Sequence, residues 1–303
     1  MNLPSPIEQV EYPLFHKYGV CVWVKRDDLI HPIVSGNKFR KLKYILKECK
    51  RDIKHTGIIS FGGAFSNHAH ALAFVCYAEQ IPCTLFIRSA SGKAIHNETI
   101  NDILKWGARV VFVSPQEYKR RESDQYLRQI ESQFKGHLII PEGGSHQLAI
   151  EGVKEGLLES RRVVDKFDFL IVPVGTGATL AGLAEGLEEG ERLLGISALK
   201  SDKFSVEVKK KWSLEERKEI QVLTQWHWGG YGKTPERLLR FIRQFLQSTG
   251  IELDPIYNGK SMYALCEFIR FGLIGNGTKV LFIHTGGLQG WRGKRNTHQS
   301  TEK

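Results

Sequence analysis

Short apolar, β-rich runs alternate along this chain with stretches of helical periodicity. Residues 20–24 (VCVWV), 57–61 (GIISF), 83–87 (CTLFI), 109–113 (RVVFV), 169–174 (FLIVPV) and 279–283 (KVLFI) read as strands. Their nearly unbroken apolar character, in place of strict alternation, predicts strands covered on both faces. Between them, residues 235–247 place Leu238, Leu239, Ile242, Phe245 and Leu246 on one stripe. That pattern predicts a helix, with Pro235 in its first turn after Thr234. A polar run at 209–218 (KKKWSLEERK) reads as a solvated helix face. The alternation predicts an α/β chain with parallel sheets.

At 303 residues with 41% apolar content, the chain has enough material for one large or two medium domains. It shows no internal repeat, low-complexity segment or Pro/Gly/Ser linker, and the polar tail at 294–303 is expected to be disordered. The most apolar long stretch, 69–78, falls short of the ~18 residues that a membrane span requires, and no secretory pattern opens the sequence. A cytoplasmic location without a membrane partner is the expectation. Cys21, Cys49, Cys76, Cys83 and Cys266 form no CxxC pair and no Cys/His cluster, so neither a disulfide framework nor a metal site is expected. The formal charge of +10 is spread among acids, as in 209–218, which argues against a nucleic-acid surface and for small anionic ligands.

The candidate chemistry sits in loops that follow or abut the strands, where ligands of open α/β sheets gather. Lys38 follows a Ser35-Gly36-Asn37 turn at the head of a helical segment. Alone it is one cation among 43 Lys and Arg, or else a nucleophile. Gly62-Gly63-Ala64-Phe65-Ser66-Asn67-His68 lets the backbone approach a ligand and offers donors near a helix N-terminus, although an ordinary N-cap would use the same residues. Gly175-Thr176-Gly177-Ala178-Thr179, after an apolar strand, suits a phosphate through its backbone N–H groups and two hydroxyls. Leu180 stands where a dinucleotide fingerprint needs glycine, and Asp254 where a Walker A loop before Gly259-Lys260-Ser261 needs one, so neither nucleotide motif fits. Two further loops, 254–261 (DPIYNGKS) and 284–287 (HTGG), carry a tyrosine, an amide and glycine turns. A phosphate loop together with a carbonyl-reactive lysine points to pyridoxal phosphate.

The ordered motifs SGNKFRKLKY, GGAFSNHAHALA, IIPEGGS, VPVGTGATLAG, DPIYNGKSM and HTGG resemble the pyridoxal-phosphate enzymes that include 1-aminocyclopropane-1-carboxylate deaminase and D-cysteine desulfhydrase. The resemblance spans nearly the whole chain. It implies a tryptophan-synthase-β-like fold of two open twisted parallel sheets, with the cofactor in the cleft between them. The larger domain would comprise 1–45 and 151–303, and the smaller, inserted one 46–150.

The same resemblance makes Lys38 the Schiff-base lysine and puts Lys41 near the phosphate, with Gly175, Thr176, Gly177, Ala178 and Thr179 around it. Asn67 would meet the cofactor's phenolic oxygen, and Ser66, Asn67 and His68 the substrate carboxylate. Tyr257 and Tyr231 correspond to substrate-pocket tyrosines, with proton transfer and packing both open. Deaminases carry glutamate at position 258 and leucine at 285; here Asn258 and Thr285 stand there. A carboxylate beside the pyridine nitrogen would keep it protonated, whereas Asn258 offers only an amide hydrogen bond. Thr285 and His68 resemble the desulfhydrase branch. The implied activity is therefore α,β-elimination on a small amino acid, D-cysteine foremost, by a homodimer. Deamination of 1-aminocyclopropane-1-carboxylate, and elimination from another β-substituted alanine, are the alternatives.

Overall fold

The computed structural model describes residues 1–52 and 54–292; the polar tail at 294–303 lies outside the described residues. An edge strand β1 (Ile7–Gln9) leads through α1 (Pro13–Tyr18) to β2 (Cys21–Lys25), and α2 (Asn37–Arg51) then carries the chain to a second sheet. That sheet contains β3 (Gly57–Gly63), β4 (Cys83–Arg88), β5 (Arg109–Val113) and β6 (His137–Ile140). Helices α3 (Asn67–Ala78), α4 (Glu98–Lys105), α5 (Pro115–Lys119) and α6 (Asp124–Gln133) lie between them. Helix α7 (Leu148–Ser160) returns the chain to the first sheet through β7 (Phe169–Val174), α8 (Ala178–Ala184), β8 (Arg192–Ser197), α9 (Phe204–Lys211) and β9 (Ile220–Leu223). The remainder is α10 (Glu236–Thr249), α11 (Asn258–Arg270) and β10 (Lys279–Ile283).

The larger sheet has the order β1-β2-β10-β7-β8-β9, and only the β1–β2 pair is antiparallel. The smaller, β5-β4-β3-β6, is parallel throughout. Strand β10 pairs with both β2 and β7, so the two ends of the chain meet in one sheet while 57–140 build the other. The boundary expected at 45/46 falls inside α2, one continuous helix.

The strands are covered on both faces, as their apolar runs predict. On β7, Ile171 joins the core under α10 and α11, while Leu170, Val172 and Val174 join the one under α7, α8 and α9. Each such buried side chain contributes about 1.5–3 kcal/mol. In α10, Leu238, Ile242 and Phe245 are buried, but Leu246 is 39% exposed and lies off the apolar stripe. Pro235 is the N-cap of α10, with ψ 156°, so it stands one residue ahead of the expected first-turn position. The run at 209–218 is not one helix face. Helix α9 stops at Lys211, Ser213 takes φ +54°, and Lys209 Nζ turns back to the carbonyls of Glu215, Arg217 and Ile220, each at 3.3 Å. The Lys209 ammonium thus ties the segment after the helix back onto α9.

Helix α2, which carries Lys38, is pinned from behind. Arg40 Nη2 donates to Glu159 at 2.6 Å and to Asp27 at 3.0 Å, and Lys25 Nζ reaches Glu159 at 3.0 Å, all largely shielded from solvent. Breaking one partner of such a buried network costs about 3–5 kcal/mol. The crossing of α2 over α7 is close because Gly152 faces the Arg40 carbonyl, where any Cβ would sit 2.0 Å away. The front of α2 is thereby held toward the cleft.

Candidate active site

A cavity of about 1020 Å³ opens between the two sheets, at the carboxyl ends of their strands. Lys38, Lys41, Ser66, Asn67, His68, Gly175, Thr176, Gly177, Thr179, Tyr231, Tyr257 and Thr285 all line it. Ala178 is fully buried beneath the loop, and Asn258 is likewise completely shielded behind the wall.

Glycine geometry brings the loops together. Gly36, with φ +64°, caps α2 so closely against the 284–287 turn that a Cβ there would lie 1.9 Å from the Thr285 carbonyl. That carbonyl accepts the Asn37 N–H at 3.2 Å, and the Asn37 side chain bonds Thr179 Oγ1 at 2.9 Å and Lys38 Nζ at 2.7 Å. Lysine, phosphate-type loop and the 284–287 turn thus share one connecting residue, Asn37, through its side chain to the first two and its backbone to the third. Burial pushes the Lys38 amine down to about 8, with the Asp254 charge pulling the other way. Lys41, buried and donating to the Gly143 carbonyl at 2.9 Å, is held well below the ordinary lysine range by burial and by the nearby charges of Lys38 and Lys211. A Cβ on Gly143 would touch the Thr176 side chain, so Lys41 adjoins the 175–179 loop.

At the other wall Ser66 is the N-cap of α3, its hydroxyl accepting from Ala69 N at 3.1 Å. The first N–H groups of that helix remain available to an anion. Ser60 Oγ donates to the Ile140 carbonyl at 2.7 Å, so it must accept from His68 Nε2 at 2.8 Å. His68 therefore carries its proton on Nε2 and presents an unprotonated Nδ1 that is buried without a partner. Burial and the adjacent lysines Lys38 and Lys41 hold the ring well below the ordinary histidine range, so it stays neutral. Asn67 Oδ1 is also buried and unpartnered.

Asn258 departs from its expected place at the ligand. Its Nδ2 donates to Asp254 Oδ2 at 2.6 Å and to the Gly286 carbonyl at 2.8 Å, and its Oδ1 accepts from Thr285 N at 3.0 Å and Oγ1 at 3.3 Å. No donor is left for a pyridine nitrogen, and the wall position falls to Thr285. Asp254, which sequence reasoning used only as a missing glycine, organises the turn by accepting the backbone N–H groups of Ile256, Tyr257 and Asn258 at 2.8–2.9 Å. An aspartate heading a turn is a signal that was available. Tyr257 lies over Gly175, 3.4 Å from where a Cβ would be, and Tyr231 packs edge-on to it with ring centroids 6.0 Å apart. Burial keeps the Tyr257 phenol well above the ordinary tyrosine range, and the wall around its hydroxyl raises that of Tyr231, whose ring is half exposed, so both keep their protons near neutrality. Trp212 was not foreseen: its indole N–H donates to the Thr176 carbonyl at 3.0 Å. Nothing in the local sequence marks it. Among the described residues no His/Cys/Asp/Glu group could hold a metal ion, and no helix is long and apolar enough to cross a membrane.

The donor set fits pyridoxal phosphate. The amides and hydroxyls of 175–179 with Lys41 suit its phosphate, the depressed Lys38 amine suits its aldehyde, and unpartnered Asn67 faces the space between. The family comparison agrees. A Thermotoga maritima protein with the provisional name 1-aminocyclopropane-1-carboxylate deaminase is 34% identical over 95% of each chain. The Arabidopsis thaliana bifunctional D-cysteine desulfhydrase/1-aminocyclopropane-1-carboxylate deaminase is 30% identical over 95% of this chain and 77% of its own. The crystal structure of an ACC deaminase homologue superposes with a TM-score of 0.83 at 26% identity, covering 99% of this chain and 94% of that one. With residues 3–286 matching the model of the family described as pyridoxal-phosphate dependent enzyme, this chain belongs to that family.

Proposed function

We propose that the protein catalyses α,β-elimination on a small amino acid, with D-cysteine giving pyruvate, hydrogen sulfide and ammonia. The observation that carries this reading is Lys38, an amine brought down to about 8 inside a cavity whose opposite wall offers donors for a carboxylate. Bound pyridoxal phosphate would supply the electron sink for Cα. The protein's own groups divide the remaining work. Gly175 to Thr179 and Lys41 hold the phosphate, with Ala178 contributing only backbone. The substrate carboxylate meets the first N–H groups of α3, the Asn67 amide and the Ser66 hydroxyl, which as the cap only accepts from Ala69 N and keeps its proton to donate, whereas His68 Nδ1 can only accept. Lys38 moves the α-proton as general base. Tyr257 and Tyr231 supply protons from the facing wall.

Thr285, not Asn258, is proposed to meet the ring nitrogen. A neutral hydroxyl there is a weaker support for a positive ring than a carboxylate, which favours elimination over opening a cyclopropane. The second reading, deamination of 1-aminocyclopropane-1-carboxylate to 2-oxobutyrate and ammonia, is supported by the names of both relatives. Domains of 1–45 with 151–303 and of 46–150, a homodimer and a cytoplasmic location belong to the same proposal, with a small amino-acid substrate and neither nucleic acid nor membrane as partner.

The test is to measure pyruvate and sulfide from D-cysteine beside 2-oxobutyrate from the cyclopropane. Pyruvate and sulfide are expected to dominate and to vanish in Lys38→Ala. Dominant 2-oxobutyrate would transfer the assignment to the deaminase reading, and full turnover by Lys38→Ala would end both.

A further inference from the structure

The cavity is larger than a cofactor and a three-carbon amino acid need, since about 1020 Å³ sits at the top of the ~300–1,000 Å³ typical of sites for drug-sized ligands. The surplus lies along the small sheet. Gly63, Arg88, Pro115 and Glu142, which follow or end β3, β4, β5 and β6, all open onto it. Next to the start of α3, two guanidinium groups are held against one ring: Arg88 lies 5.7 Å and Arg121 4.6 Å from the centroid of Tyr118. Arg121 is oriented by Glu142 at 2.8 Å and by the Tyr118 carbonyl at 3.1 Å, whereas Arg88 makes no ion pair among the described residues.

Tyr118 is 5% exposed and lines the cavity, and its buried hydroxyl, without a closely aligned partner, shares the Glu142 carboxylate with Arg121. Burial, the Glu142 charge and a hydrogen bond to that carboxylate raise its phenol, so it keeps its proton and stays a donor on this wall. One carboxylate, Glu142, stands against Arg88, Arg121 and the exposed Lys119 on this wall, which leaves it cationic. Tyr231 faces it closely enough to feel the Arg88 charge. An amino acid anchored at Lys38 and at the head of α3 therefore has room to extend its side chain toward these donors.

We propose that Arg88, Arg121 and the Tyr118 hydroxyl form a subsite for a second anionic group, so that the preferred substrates are β-substituted alanines whose β-substituent is negatively charged. This rests on the elimination reading and extends it beyond D-cysteine, whose mostly neutral thiol does not engage the subsite. In the step, the α-proton passes to Lys38, and the Cβ–X bond breaks with its electron pair leaving on X. Water then hydrolyses the released aminoacrylate to pyruvate and ammonia, with no net oxidation.

Serine O-sulfate and β-chloroalanine, both with good leaving groups but differing in charge, separate the possibilities when both enantiomers are assayed for pyruvate. The holoenzyme should favour the sulfate, and Arg88→Gln should lower the ratio of kcat/KM for sulfate over chloride by about 10- to 100-fold, the value of one charge-assisted hydrogen bond. Arg88 is exposed, so the substitution should leave the fold intact. An unchanged ratio overturns the proposal, and so does a ratio lost together with cofactor affinity, which would assign Arg88 to the cofactor phosphate. If neither compound gives pyruvate, the elimination reading falls. The subsite is still decided by calorimetry on Lys38→Ala holoprotein, where Arg88→Gln should weaken serine O-sulfate binding about tenfold or more.

Discussion

At Lys38 the decisive quantity is the free energy of charging an amine in a shielded place. Burial disfavours the ammonium and the Asp254 charge restores part of it, leaving the group near 8 instead of 10.5. The neutral amine is the nucleophile, so it dominates above that pH and is lost below it. Capture of pyridoxal phosphate by the cofactor-free protein, followed by its visible absorbance, should accelerate about tenfold per pH unit up to roughly 8 and then level. A rate still climbing past pH 10 would mean that Lys38 is an ordinary solvated cation. Between about 8 and 10.5 the unfolded chain holds a proton at this lysine that the folded one has released, so this group makes stability rise with pH across that window.

Between β7 and α8 the phosphate-type loop depends on a residue far along the chain. A trans peptide points its C=O and N–H in opposite directions, so fixing the Thr176 carbonyl on Trp212 turns the Gly177 N–H away from the indole, in a glycine that lines the cavity. Trp212→Phe keeps the packing against Gly177 but removes the donor. It should weaken cofactor binding about 2- to 10-fold, as one neutral hydrogen bond is worth, while barely moving the unfolding temperature of the cofactor-free protein. Equal affinity by equilibrium dialysis would show that the loop is set by its own sequence. The loop itself was readable, because glycines and threonines after an apolar strand announce it, and so were the long apolar strands. What escaped were elements whose residues answer to distant partners. Strand β8 is fully buried after its first residue, but Gly195 broke its apolar run; the glycine is there because a Cβ would meet Val174 at 2.6 Å. Strands β1, β6 and β9 are three or four residues long and give too short a pattern. Asn258 misled for the same reason, since its motif shows an amide at the right place in sequence and only the fold reveals that Asp254, Gly286 and Thr285 already occupy it.

Across the whole molecule, the site exists only while the two sheets face each other, and polar contacts at the mouth of the cleft help to hold them so. Arg292, beyond the last strand of the large sheet, donates to Asp102 on α4 at 2.6 Å, and His70 on α3 shares that carboxylate at 2.9 Å. Burial raises the Asp102 carboxyl, but these hydrogen bonds outweigh it and keep the group ionised below the ordinary range. The side chains of Arg292 and Asp102 are about 30% exposed, at 29% and 32%, so the pair is screened and worth only about 0.2–1 kcal/mol. That is too little to decide folding, but enough to bias opening. Asp102→Asn should therefore release bound cofactor about 2- to 5-fold faster with little change in unfolding temperature. The wild-type release rate should also rise with ionic strength, as salt weakens the pair, whereas the variant, left with only the Arg292–Glu98 pair to α4, should respond less. A variant with the wild-type rate and the wild-type salt dependence would show that the pair does not govern opening, and that closure rests instead on α2, whose back is pinned by Arg40 and whose front carries Lys38 into the cleft.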